Sequence, residues 1–117
     1  MSGAYGGRPT ATVRAVAGGS PVRFEGVPPM KIVAVDVFQH DLPVRGPAEG
    51  EPYRMATQDV WHLDTTIVRV QCDDGTVGYG ETCPLGSTYQ AQHALGARAA
   101  LAEMAPHLVG LAPTAIG

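Results

Sequence analysis

Asp64-Thr-Thr-Ile-Val-Arg-Val-Gln-Cys72-Asp-Asp-Gly75-Thr-Val-Gly-Tyr-Gly-Glu81-Thr-Cys-Pro-Leu-Gly-Ser-Thr-Tyr89 is the stretch that decides the fold. Its first part alternates. Thr66, Val68, Val70 and Cys72 point one way, and Ile67, Arg69 and Gln71 the other, the period of a half-buried strand. Asp-Gly between two alternating runs predicts a tight hairpin, because a type I′ turn needs positive φ at both centre positions. With Asp74 and Gly75 at the centre, Cys72 is expected opposite Val77 and Val70 opposite Tyr79, both pairs on the buried face. Residues 76–81 form the second arm. Gly78 and Gly80 weaken it and leave room for other backbone to approach. Glu81 is expected on the face of Val70 and Tyr79, as a structural hydrogen-bond acceptor in preference to a catalytic group.

Working outward, residues 82–86 read as a loop containing Pro84. Ser87-Thr-Tyr-Gln90 matches a capping box, in which the Ser and Gln side chains satisfy free helix N–H groups. The spacing predicts a helix over residues 88–105, ended by Pro106. Its small residues Ala91, Ala94, Ala97 and Ala102 allow close packing, with Leu95, Leu101, Met104 and Ala105 as the larger apolar contacts. Upstream, residues 31–42 read as the first strand, rich in β-branched side chains. Val33, Val35 and Val37 share a face, and Phe38 breaks the alternation, which implies partial cover on both sides. Pro43 ends it. Residues 43–63 are a long connection, expected to be loose in its Pro- and Gly-rich first half and functional in its aromatic second half. Residues 1–29 read as a disordered tail, mixed in composition and without period. A short strand over Val13–Ala17 is the alternative there. Met30 reads as the natural start, with the preceding residues arising from an upstream start codon. The fold class is therefore α+β: a three-stranded antiparallel β-meander followed by a helix, over residues 30–117.

A chain of 117 residues with 44% apolar content and a net charge of -3 makes one globular domain. It has no basic stripe to meet nucleic acid and no apolar run that spans a bilayer. The start lacks the pattern of a secretory signal, which points to the cytoplasm. Cys72 and Cys83 are expected as two reduced thiols in preference to a disulfide.

No complete catalytic set emerges. Gly78-Tyr-Gly80-Glu-Thr-Cys83 lacks the third glycine and the following helix of a dinucleotide loop. Cys83 and His93 make a nucleophile–base pair only if the fold brings them together. Ser87 is better explained as a cap. Asp59, His62, Asp64 and Glu81 lack metal-ligand spacing and read as ordinary solvated or hydrogen-bonded groups, so neither a metal site nor a catalytic residue is assigned to this chain. Tyr53, Met55 and Trp61 have two readings: they pin the long connection onto the sheet, or they line a ligand pocket.

From Met30 onward the sequence resembles the N-terminal domain of the mandelate racemase/muconate-lactonising branch of the enolase superfamily. Lys31-Ile-Val-Ala-Val-Asp-Val-Phe38 is similar to its opening strand, and residues 64–70 with Asp73-Asp-Gly-Thr-Val-Gly-Tyr-Gly-Glu81 to its hairpin. Leu108-Val-Gly-Leu-Ala-Pro113 is similar to the segment after its first helix, with Ala112 where an acidic residue is usual. Pro52-Tyr53-Arg-Met55 and residues 83–89 look most like members acting on proline betaines or hydroxyprolines.

The resemblance implies removal of the proton next to a substrate carboxylate, with Mg²⁺ stabilising the enediolate. The metal ligands and Lys bases of such enzymes lie on a (β/α) barrel of roughly 250 residues, which this chain lacks. Lys31 is its only lysine, so a Lys-x-Lys base pair is impossible. By the same resemblance the chain is a lid, inactive alone. Its residues 43–63 and 82–89 would close over a partner barrel and a small carboxylate substrate, with Tyr53, Met55 and Trp61 facing the substrate. A non-enzymatic interaction module and a functionless truncated product are the competing readings.

Overall fold

The computed structural model describes residues 13–16, 30–86 and 93–115. Its strands are β1 (Val13–Val16), β2 (Ile32–Pro43), β3 (Tyr53–Arg54), β4 (Asp59–Val60), β5 (His62–Cys72) and β6 (Val77–Thr82), followed by helix α1 (Ala94–Leu108). The main sheet has the order β1-β2-β5-β6, and every pairing in it is antiparallel. The expected three-stranded meander is β2-β5-β6, with α1 after it. β1 adds a fourth strand on the free side of β2, as in the short-strand reading of the run from Val13. The rest of the segment read as a disordered tail, residues 1–12 and 17–29, lies outside the described residues.

The hairpin forms where expected but with a different register. Cys72 exchanges hydrogen bonds around the turn, its N–H donating to Thr76 O at 2.9 Å and its carbonyl accepting from Gly75 N–H at 3.1 Å. Residues 73–75 therefore form a three-residue loop with Gly75 at φ +88. One left-handed residue is enough for that loop, whereas the two-residue type I′ turn needs two. The pairing shifts by one: Gln71 faces Val77, Val70 faces Gly78 and Arg69 faces Tyr79. A one-residue slip moves each side chain to the other face. Tyr79, expected beside Val70 in the core, is instead 70% exposed. Among the described residues no other backbone approaches Gly78 or Gly80, where a Cβ would meet nothing within 4 Å.

The core lies between the sheet and α1, where Ala15, Ile32, Val35, Cys72 and Ala105 pack together. A bulge between Ile32 and Ala34 lets Ile32 and Val35 reach this core together despite their odd spacing. β2 is buried on both faces from Ala34 to Val37, as Phe38 foreshadowed. α1 turns a partly covered stripe through Ala94, Ala97, Arg98, Leu101 and Ala102 toward the sheet, with Ala105 fully buried, the three-to-four spacing of one helix face. Leu95 and Met104, expected as core contacts, sit off that stripe at 71% and 51% exposure.

The helix boundaries also differ from expectation. His93 is the N-cap, its Nδ1 accepting Gly96 N–H at 3.1 Å, and the Ser87–Gln90 box lies outside the described residues. Pro106 does not stop the helix, which continues to Leu108. So near the C-terminus proline removes one N–H from the ladder while the turn beneath it stays packed. Beyond the helix, Gly110 N–H donates to Ile32 O at 2.8 Å and Ile32 N–H to Leu111 O at 2.9 Å. These bonds hold the exit against the start of β2.

Among the described residues three ion pairs fasten the elements together. On the sheet face away from α1, the fully buried Asp36 takes both Arg69 Nε (3.1 Å) and an Arg69 terminal nitrogen (2.7 Å) on Oδ2. The Arg69 guanidinium lies 5.6 Å from the Phe38 ring centroid. Arg14 Nε stands 3.3 Å from Asp36 Oδ1 without hydrogen-bond alignment, so that oxygen is balanced by charge alone. On the other face, Arg98 of α1 grips Asp64 of β5 in a two-point fork at 2.7 and 2.8 Å and reaches Thr66 Oγ1 at 3.2 Å. Hydrogen bonding from Arg98 holds the Asp64 carboxyl below its ordinary value, with Gln39 Nε2 adding a bond at 3.2 Å.

Asp36→Ala strands Arg69 and Arg14 side by side. It is expected to cost about 3 kcal/mol, the low end for breaking a buried pair because both arginines keep contact with water. Urea unfolding reads this directly. Asp64 in the folded chain releases its proton more readily than in the unfolded chain, so its stabilisation is present above the ordinary value of 3.8 and is lost as pH falls through the lowered one. Thermal melts in acid should show this loss in the wild type and a flatter profile in Arg98→Ala.

Candidate functional site

Residues 43–63 leave β2 and return to β5 as a built structure, including the half expected to be loose. Val44 N–H donates to Trp61 O at 2.9 Å, extending the ladder beyond the Pro43–His62 pair. Gly46 N–H donates to Glu51 O at 3.1 Å, and Glu51 N–H to Ala48 O at 3.2 Å. A Cβ at Gly46 would stand 2.5 Å from Glu51 O, so glycine is required for this closure. β3 and β4 then pair Tyr53 with Val60 and Arg54 with Asp59, and Met55 N–H donates to Gln58 O at 2.9 Å to close the turn between them.

The second loop leaves β6 after Thr82. Pro84 is buried and Gly86 adopts φ +103. Gln58 Nε2, from the first loop, donates to Leu85 O at 2.7 Å. A Cβ on Gly86 would stand 3.2 Å from the same nitrogen. The two loops enclose an open cavity of about 370 Å³, walled by Gln58, Trp61, His62, Leu85 and Gly86, with Asp64 and Ala94 also lining it.

The structure separates the three residues singled out from sequence. Trp61, 52% exposed, lines this cavity between the loops. Tyr53, 53% exposed, lines a different recess with Arg45 and Arg54. Met55 is half-buried at the start of the β3–β4 turn and lines neither recess. Neither aromatic ring is buried in the domain's own core.

The other candidates have structural partners. Thr65, fully buried, donates its hydroxyl to Glu81 Oε1 at 2.7 Å and lies 3.2 Å from Thr82 O. Glu81 thus acts as an acceptor that fixes the exit of β6, though on the face opposite Val70. Asp64 is held by Arg98, and the His93 Nδ1 is used by the helix cap. Cys72 is a buried free thiol that burial pushes up in pKa, and Cys83 is a half-buried free thiol. Among the described residues no three His, Cys, Asp or Glu side chains converge as a metal site, and no helix is long and apolar enough to cross a membrane. Reading the sequence missed Gln58 and Arg98, whose partners lie 27 and 34 residues away. Trp61, His62, Asp59 and Asp64 line the cavity, the last of them already paired with Arg98.

Residues 34–117 match the family model of the mandelate racemase / muconate lactonizing enzyme N-terminal domain. Cis-3-hydroxy-L-proline dehydratase of Roseibium aggregatum is 48% identical over 88 residues, which is 75% of this chain and 23% of that protein. A solved member of the enolase superfamily from Roseovarius nubinhibens ISM aligns with a TM-score of 0.59 at 39% identity, over 70% of this chain and 21% of that one. A second structure from the same organism, complexed with magnesium, aligns with the same values. With the family model covering most of its length and the expected sheet and helix in place, the chain belongs to the mandelate racemase / muconate lactonizing enzyme family of the enolase superfamily, as an N-terminal domain.

Proposed function

We propose that this domain is the substrate-selecting cover of a Mg²⁺-dependent racemase, epimerase or dehydratase that removes the proton α to a carboxylate, working in the cytoplasm. It has no turnover by itself. The observation that carries this reading is the meeting of the two loops through Gln58 and Leu85, with the half-exposed Trp61 lining the cavity they enclose. The name of the Roseibium relative favours a hydroxyproline or a similar ring amino acid as substrate. An indole face suits the cationic nitrogen of such a ring.

The described residues do not fit a magnesium site, so no step is routed through a metal on this chain. In the proposed enzyme the metal and the base belong to a (β/α) barrel. The domain's contribution is to bind, to orient and to exclude water as the cover closes. Leu95, Met104 and Leu111 support such a partner. All three are exposed apolar side chains on or just after α1, at 71%, 51% and 48%, and a docked domain would remove them from water.

The purified chain is expected to show no Mg²⁺-dependent exchange of the substrate α-proton into D₂O by NMR; exchange above the buffer rate would refute the cover reading. In an enzyme assembled with its barrel, Trp61→Ala should raise KM about tenfold with a smaller change in kcat, the size of a lost cation–π contact. An unchanged KM would remove Trp61 from the substrate site.

A further inference from the structure

Gln58 is a residue that neither the family match nor the proposed chemistry assigns. Among the described residues its side chain makes one long-range bond, to Leu85 O at 2.7 Å, and that bond joins two segments 27 residues apart. The receiving backbone is specialised for it. Gly86 is held at φ +103, and a side chain there would press on the Gln58 amide at 3.2 Å. On its own side, Gln58 is fixed by the turn whose Met55 N–H bonds Gln58 O at 2.9 Å. Trp61 follows three residues later, and its carbonyl is tied to Val44 N–H at 2.9 Å. Trp61 thus hangs from a backbone anchored to the sheet and lines the same cavity as Gln58 and Leu85.

We propose that Gln58 is a positioning residue, a latch that makes the two cover loops one unit and thereby sets the width of the cavity beside Trp61. The latch rests on the cover reading for its use in catalysis, but its existence is testable without it. With the bond made, the loops move together and the cavity of about 370 Å³ keeps one size. With the bond broken, each loop moves alone, and discrimination by ligand size relaxes.

Trp61 is the only tryptophan in the chain, so its fluorescence reports on this cavity alone. The variants are Gln58→Met and Gln58→Glu, which keep the side chain's length while removing its donor; the ionised glutamate also repels the Leu85 carbonyl. Acrylamide quenching of Trp61 is expected to rise about twofold in both, because loss of the Gln58–Leu85 bond populates the open arrangement. Thermal midpoints should stay within about 2 °C, since Gln58 lies outside the core. Unchanged quenching in both variants overturns the latch. A rise confined to Gln58→Glu also overturns it, because repulsion and not the lost donor would then be the cause. In an enzyme assembled with a barrel, Gln58→Met should raise KM for the preferred substrate and narrow the preference over a bulkier one, with kcat little changed. If quenching rises while substrate preference holds, the latch stands and the cover reading fails.

Discussion

Gly75 governs where everything after it lies. At φ +88 it closes a three-residue turn, and the turn sets the register of β6 against β5. That register decides which residues of β6 face α1 and which face outward. It brings Glu81 within 2.7 Å of the buried Thr65 hydroxyl, which sets the direction in which the chain leaves the sheet after Thr82. The loop that leaves there is the one Gln58 reaches. A turn with one more or one fewer residue would put Glu81 on the other face and carry Leu85 away from its donor. A conformation open to glycine and to few other residues is therefore upstream of the whole cavity.

The site depends as much on the layer beneath it. Ala94 lines the cavity from the first turn of α1, and α1 is held to β5 by the Arg98–Asp64 fork one turn further along. The helix stripe is mostly alanine, which brings the helix close to the sheet but buries little area. A charged fork with two short bonds supplies geometric definition that a small apolar contact lacks. Asp36 does similar work on the other face, where Arg69 from β5 and Arg14 from β1 converge on one carboxylate. Sheet, helix and loops are thus fastened by a few directional polar contacts around a small core.

What the sequence made legible follows the range of the forces involved. The alternation from Thr66 to Cys72, the β-branched run before Pro43 and the Asp-Gly turn are local patterns, and the corresponding elements form. The hairpin register was not legible, because Asp74-Gly75 is compatible with two loop lengths and the difference lies in a single φ angle. The start of α1 is not legible because His93 caps it through a ring nitrogen, a weak sequence signal, while the stronger cap signature of Ser87–Gln90 lies outside the described residues. Leu95 and Met104 were assigned to the core by size, whereas the helix stripe follows angular position. Trp61 stood out because a large ring in a long connection is conspicuous. Gln58 did not, since a surface-type amide gives no local sign that it bonds a carbonyl 27 residues away.

β1 has a consequence of its own. It lies ahead of residue 34, where the family match begins, yet it covers the free side of β2 from Ala34 to Val37 and places Ala15 in the core. A long strand with an uncovered flank offers a row of unmet donors and acceptors on which a foreign chain can grow a sheet. By occupying that flank with four residues, β1 takes Ala34–Val37 out of reach of such a chain and puts a charged arginine on the new edge. A domain begun at Met30 would lose this cover. Such a trimmed version would stick to its own copies for reasons unrelated to its chemistry.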